Sequence, residues 1–273
     1  LIIMSKTNFF VKHIKNITSF INSLLEKNLN KLNFKNLSFL FKNNKIILTF
    51  VALFVVFISY LLLPTFYKQL DISKQLKNEL QSKFDINFEF SKNINYNFFP
   101  KPHFTTKQTV IFDDTGEISK INKLKIFISI NNLFSLSSIE IRDVIFESSN
   151  FNLNKQNFNF FLQLLSKSFE KGNLIIKNSN IFFRDANDEV LLINKVLKMK
   201  YYYDPKELKN TFNSNNEIFN IPYSMKSLFN DDKSKIFSTI NLNLMKLKVK
   251  NELSLKNEIK IGRSEFIQKN QNV

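Results

Sequence analysis

Residues Ile46–Leu63 read IILTFVALFVVFISYLLL, eighteen consecutive residues without a charge, a glycine or a proline. At about 1.5 Å per helical residue the run covers about 27 Å, close to the thickness of a bilayer core. Pro64 ends it. Before it, residues 1–45 carry Lys6, Lys12, Lys15, Lys27, Lys31, Lys35, Lys42 and Lys45 against the single acid Glu26. Lysines close to a span stay on the cytoplasmic side, so the expected topology has a cytoplasmic N-terminus and the rest of the chain across the membrane. A cleaved signal peptide fits less well, because the apolar run is long and LLLPTFYK offers no small-residue cleavage pattern. A buried core helix fits less well too, since the segment is apolar all round.

The expected organisation is therefore a basic cytoplasmic segment over 1–45, a transmembrane helix over 46–63 and a soluble domain over 64–273. In the first segment Phe10, Ile14, Ile17, Phe20, Ile21, Leu24 and Leu25 recur at helical spacing with Lys12, Lys15 and Lys27 off the stripe. That pattern suits a helix lying on the inner leaflet or packing on a partner. The sequence opens on Leu1, so Met4 is a candidate start and a fragment is the other reading.

Composition removes several function classes. The chain has no Cys, which excludes disulfides, thiolate metal sites and a cysteine nucleophile. The net charge of +16 rests almost wholly on lysine, with only Arg142, Arg184 and Arg263 as arginines. Base-edge and bidentate phosphate recognition favours arginine, so nucleic acid is not expected as a partner; anionic headgroups or plain solvation suit the lysines better. His13 falls in the N-terminal segment and His103 stands beside a Pro-rich loop, where a structural role is expected. No metal-ligand spacing appears, and three glycines leave no phosphate-cradling loop. Asp113-Asp114 and Asp231-Asp232 sit in turn-like sequence. Neither catalysis nor a cofactor is expected.

Beyond the span the period of the apolar residues changes. Ile72, Leu76, Leu80 and Phe84 predict a helix over 68–84. From Ile86 on, strict alternation predicts strands buried on one face, as in antiparallel sheets. These fall around Ile86–Phe90, Ile94–Phe98, His103–Phe112 and Leu124–Ile130. Ile139–Phe146 follows with a bend near Asp143, then Phe151–Leu153. Phe158–Phe169 predicts a helix capped by Gly172. Strands resume at Leu174–Phe183, Val190–Tyr203, Ile218–Ile221, Tyr223–Phe229 and Lys235–Leu247, and continue to about Ile267, with Pro205-Lys206-Glu207 as a loop. Ser138–Phe146 and Asn173–Ile181 echo one another weakly, 35 residues apart. The expected fold is mainly β: one N-terminal transmembrane helix, few other helices, and a long curved antiparallel-rich sheet with an open groove.

The order of these features resembles the AsmA family of inner-membrane-anchored, periplasmic proteins of Gram-negative bacteria. The resemblance runs from the span to about Phe229. It rests on Leu63-Pro64, Phe98-Phe99-Pro100, and Ile121–Ile126 running into Leu133-Phe134-Ser135 and Ile139–Val144. Phe151-Asn152-Leu153 follows, then Leu174–Ser179 and Ile181–Asp185. Two departures are that Asn and Ser replace most turn glycines, and that the sequence stops at Val273 where family members commonly continue into a further β region. The family implies phospholipid as ligand and a role in outer-membrane biogenesis, with envelope proteins as further partners. Among the 32 Phe residues the strand-borne Phe88, Phe90, Phe98, Phe104, Phe127 and Phe146 are the candidate lipid contacts. The alternative is a scaffold or regulator of outer-membrane protein assembly with a filled core. About a dozen strands at roughly 4.8 Å give a sheet of about 60 Å, short for a bridge between membranes, so a shuttle or partners are expected.

Overall fold

The computed structural model describes residues 45–90, 93–113, 116–158, 172–229, 234–254 and 261–268. The chain divides into two compact units, residues 1–59 and 60–273. The N-terminal amphipathic stripe, the helix expected beyond Phe158 and the Asp231-Asp232 pair lie outside the described residues.

Helix α1 (Lys45–Leu62) continues through a 3₁₀ turn over Leu63–Phe66 that contains Pro64. Its stretch Leu48–Phe66 is long and apolar enough to cross a membrane. Helix α2 (Gln69–Phe84) follows. Asp71 in its first turn and Lys83 in its last complement the helix dipole. Asp85 ends it in the left-handed region, at φ 58°, and its N–H bonds to the Gln81 carbonyl. The buried residues of α2 are Ile72, Leu76, Leu80 and Phe84, the four that the sequence spacing picks out.

Among the described residues one open sheet has twelve strands: β1 (Asn87–Glu89), β2 (Ile94–Asn97), β3 (His103–Asp113), β4 (Gly116–Ile128), β5 (Ile141–Leu153) and β6 (Asn173–Arg184). Then come β7 (Val190–Asp204), β8 (Lys209–Ile218), β9 (Ile221–Phe229), β10 (Lys235–Leu242), β11 (Leu247–Ser254) and β12 (Ile261–Gln268). From β3 onward each strand pairs the next, while β1 and β2 both pair β3. Among the described strands all paired neighbours run antiparallel except β5 and β6, which are parallel. A parallel pair needs a long crossover, and residues 154–172 supply it. Gly172 at the end of that crossover is required by close approach: a Cβ there would lie 2.0 Å from the Arg142 carbonyl oxygen. The mainly β fold with an open, antiparallel-rich sheet and one long apolar helix is as the sequence predicts.

Several element boundaries differ from expectation. The β4 strand begins at Gly116, eight residues before Leu124. Ile218–Ile221 is not a strand but a hairpin turn, with Phe219 and Asn220 at φ 50° and 62°. Most of β8, KNTFNSNNEI, is polar and Asn-rich, so it lacks the strand signal that propensity would give. Lys235–Leu247 is interrupted by a 3₁₀ turn over Asn243–Met245. The bend near Asp143 is a bulge: Phe127 faces Asp143 and Ile128 faces Ile141, leaving Arg142 unmatched.

One irregularity crosses five strands. Gln108, Ser148 and Asn178 have positive φ, 53°, 57° and 48°. By register, Gln108 of β3, Asn122 of β4, Ser148 of β5, Asn178 of β6 and Leu197 of β7 form a single row. At that row the buried positions skip one residue. They run Thr106 to Thr109, Leu124 to Ile121, Phe146 to Ser149, Ile176 to Ser179 and Met199 to Val196, in steps of three instead of two. Because all five strands carry the same extra residue, their mutual register is undisturbed. The row ends between β7 and β8, where Val196 faces Asn216 but Lys198 faces Asn215, a bulge at Leu197. A left-handed residue in a strand turns the backbone by one position, which asparagine accepts at least expense.

The core lies on one face. Ile72, Leu76, Leu80 and Phe84 of α2 belong to one buried cluster with Phe88, Phe104, Ile126, Val144 and Phe146, reaching Phe212 on β8. Three tyrosine hydroxyls tie the juxtahelical residues to this end of the sheet. Tyr60 donates to the Ile130 carbonyl at 2.6 Å, Tyr67 to that of Leu133 at 2.5 Å, and Tyr96 to that of Leu61 at 2.7 Å. Burial first, then the neighbouring Tyr60, pushes the Tyr96 hydroxyl up to about 12, so it stays a donor.

Candidate functional site: the inner face beyond the core

The six candidate phenylalanines do not share one surface. Phe88, Phe104 and Phe146 are fully enclosed in the core, with Phe88 6.0 Å from Phe146 by ring centroids. Phe90 packs against that cluster from its margin. Phe127 lies half-buried on the opposite face, stacked on His103 at 4.9 Å. Phe98 is exposed in the loop after β2. The buried His103 ring has Nδ1 2.8 Å from the Lys101 carbonyl oxygen, a structural placement. Among the described residues no group of three His, Cys, Asp or Glu is placed to hold a metal.

Beyond β7 the inner face changes character. Met199, Ser214, Met225, Ile240, Val249 and Phe266 form one register row across β7–β12. With strands about 4.8 Å apart the row is about 24 Å long. It is apolar apart from Ser214. Phe212, Ser227, Ser238, Asn251 and Ser264 form the parallel row on one side, polar from β9 on. Ser227 and Ser238 share a hydroxyl hydrogen bond of 2.8 Å. On the other side Tyr223 donates to Asn194 Oδ1 at 3.1 Å, and Asn216 Nδ2 donates to Ser214 Oγ at 2.7 Å. Burial raises the Tyr223 hydroxyl above its ordinary range, against the opposing pull of Asn216 and Asn194. The result is an apolar lane with a polar margin of Ser227, Ser238, Asn251 and Ser264 on one side; on the other side the margin is polar at Asn216 and Tyr223 and turns apolar at Leu242 and Leu247. Rows on one strand face are about 6.6 Å apart, so the margins stand about 13 Å from each other. Asn216 Oδ1 and Asn251 Oδ1, on either side of the lane, are buried acceptors without a donor among the described residues. Such an acceptor is expensive to bury unpaired, and a donor brought by a ligand would satisfy it.

The opposite face is hydrophilic. Cross-strand ion pairs join Lys195 to Glu217, Lys226 to Glu207, Lys235 to Glu252 and Lys250 to Glu265. A depression of about 480 Å³ lies among Lys198, Lys200, Tyr202, Asn213, Asn215, Ser224, Lys226 and Asn241. The Lys200 ammonium stands 4.2 Å from the Tyr202 ring centre, and Lys226 is held above its ordinary range by its hydrogen bond from Nζ to Glu207. The depression is built for water and anions, not for acyl chains.

Sequence reading missed the lane because its members are spread over six strands, one residue each, and their common row exists only through register.

No family model matches the chain, and no curated protein matches it.

Proposed function

We propose that the chain is a single-span membrane protein whose sheet holds the acyl portion of a phospholipid along the lane from Met199 to Phe266. The observation that carries this reading is the lane itself: an apolar strip on a face of β8–β12, flanked on one side by Ser227, Ser238, Asn251 and Ser264. Each methylene sheltered there gains roughly 0.8 kcal/mol, and a lane of about 24 Å exceeds the roughly 15 Å depth of one leaflet's hydrocarbon. A donor-bearing headgroup, such as an ethanolamine ammonium or a free hydroxyl, would satisfy the orphan Asn216 and Asn251 acceptors, which ester oxygens cannot. The topology follows from the lysines before the span, with the N-terminus cytoplasmic, the helix in the inner membrane and the sheet in the periplasm. The AsmA-like order of motifs supports the same picture, in which the protein binds or passes on lipid without catalysis.

The test is mass spectrometry of lipids that co-purify with the full chain in a mild detergent, compared with the variant Ile240→Asp. Stoichiometric phospholipid that falls at least tenfold in the variant is expected. Lipid that is absent, or unchanged by the substitution, would overturn the proposal. A scaffold function has its own supporting observation, since every described residue of β12 except Ile267 is exposed and the strand lies at the edge of the described sheet. Capture of an outer-membrane assembly protein, lost when Ser264→Pro blocks that edge, would favour the scaffold.

A further inference from the structure

Four large apolar side chains near the end of the apolar helix have no protein cover. Phe66 is 82% exposed, Leu70 84%, Phe99 79% and Phe134 76%. Isolated exposed hydrophobics are ordinary, but these are brought to one end of the sheet. The main chain of β2 runs from Ile94, which exchanges two hydrogen bonds with the Gln69 side chain, to Tyr96, which bonds to Leu61 in the last turn of α1. Phe98 follows the end of β2 directly, and the chain bends at Phe99. The loop after β4 lies beside them, since the Ile128 N–H bonds to the Pro102 carbonyl. Tyr60 grips that loop from the other side: its hydroxyl donates to Ile130 and accepts from the Leu133 N–H at 3.0 Å. Its ring meets that of Phe134 at 4.9 Å. The buried Leu133 fixes the loop while its neighbour Phe134 is turned outward.

Charge agrees with this placement. Residues 60–70, 98–102 and 129–138 contain Lys68 and Lys101 and no Asp or Glu. An apolar rim with cations and no carboxylates, adjoining the end of a membrane-length helix, matches the zone of lipid headgroups and upper acyl chains.

We infer that this end of the sheet sits in the outer headgroup layer of the membrane that α1 crosses, with Phe66, Leu70, Phe99 and Phe134 inserted between lipids. The inference rests on the proposed reading that α1 spans the bilayer, and adds to it that the loops after β2 and β4 enter the same leaflet.

The chain contains no Trp, so a single substitution gives one indole signal without background. The full chain is reconstituted in phosphatidylcholine–phosphatidylglycerol vesicles whose acyl chains are brominated either near the headgroup or near the bilayer centre. Four variants are compared: Phe54→Trp in the span, Phe99→Trp and Phe134→Trp in the rim, and Phe237→Trp on β10. Expected is deep quenching for F54W, at least twofold shallow quenching for both F99W and F134W, and none for F237W. If F54W is quenched while F99W and F134W respond no more than F237W, the rim inference is overturned and the anchor stands. If F54W is not quenched, the spanning reading fails and takes this inference with it.

Discussion

The two ends of the sheet are made of different material on the same face. From β1 to β6 the inner positions are mostly Phe, Ile, Leu and Val, enclosed together with the apolar side of α2, with Thr106, Thr109, Ser119, Ser149 and Ser179 buried among them. From β8 to β12 the inner positions mix apolar residues with Ser214, Asn216, Ser227, Ser238, Asn251 and Ser264, and they pass from buried on β8 to exposed on β12. The near half is a core in the usual sense. The far half has the pattern of a surface that expects a guest with both an apolar and a polar portion. Strand pairing is interrupted by register shifts from β3 to β8 and runs without one from β8 to β12, so the two halves differ in backbone regularity as well as in what faces inward.

That contrast can be broken at its strongest point first. Leu76 of α2 is fully buried; Leu76→Ala should lower stability by about 2–5 kcal/mol through lost transfer energy and the cavity left behind. Urea unfolding of the full chain in detergent checks this, and lipid content per folded molecule should stay unchanged. Next in size is Gly172→Ala, whose new methyl would collide with the Arg142 carbonyl oxygen. A loss of about 1–3 kcal/mol is expected by the same measurement, since backbone must move to admit it. In the far half Ile240→Asp should reduce bound phospholipid at least tenfold, worth about 1.4 kcal/mol. Thermal unfolding of the lipid-free protein should shift less than for Leu76→Ala. If stability falls as far as in that variant, the far half is a core as well and the contrast disappears.

The smallest effect concerns Glu147 on the outer face of the near half. Burial works against its ionisation, but hydrogen bonds and charge from Lys125, 2.9 Å away, and Lys123 hold its carboxyl below the ordinary value. A depressed carboxylate stabilises the fold above its unfolded pKa of about 4.3, and that contribution is lost as pH falls through the folded value. Glu147→Gln should therefore cost up to about 1 kcal/mol at pH 7 and flatten the acid limb of a stability–pH curve below about pH 4.3.

Local patterns were legible in the sequence, and their composition into a face was not. The period-four residues of α2 and the alternation within β3, β5 and β7 follow from local geometry, which needs no tertiary information. The transverse row defeats a simple period of two. Leu174 and Ile176 sit on one side of Asn178 and Ser179 on the other, and the inward phase changes between them. The same row corrects the internal echo. The parallel register of β5 and β6 matches residues 30 apart, so Glu147-Ser148-Ser149-Asn150-Phe151 lies beside Lys177-Asn178-Ser179-Asn180-Ile181, not the 35-residue offset that the sequence suggests. Phe104 and Phe127 illustrate the limit for the site. Both stand in alternating strands, yet one faces the core and the other the outside, because the phase of β4 relative to β3 is set by the turn between them.

The near-complete agreement between strand order and chain order has a consequence for biogenesis. Every strand after β3 docks on the strand made just before it. A ribosome adds about 5–20 residues per second, so a strand with its turn appears in roughly a second, whereas a hairpin closes in about 1–10 μs. Each newcomer thus meets a finished edge and covers it long before the next arrives. With α2 and β3–β5 as the seed, the sheet grows like a crystal that adds one row at a time, pausing only while residues 154–172 emerge and β6 can turn to lie parallel to β5.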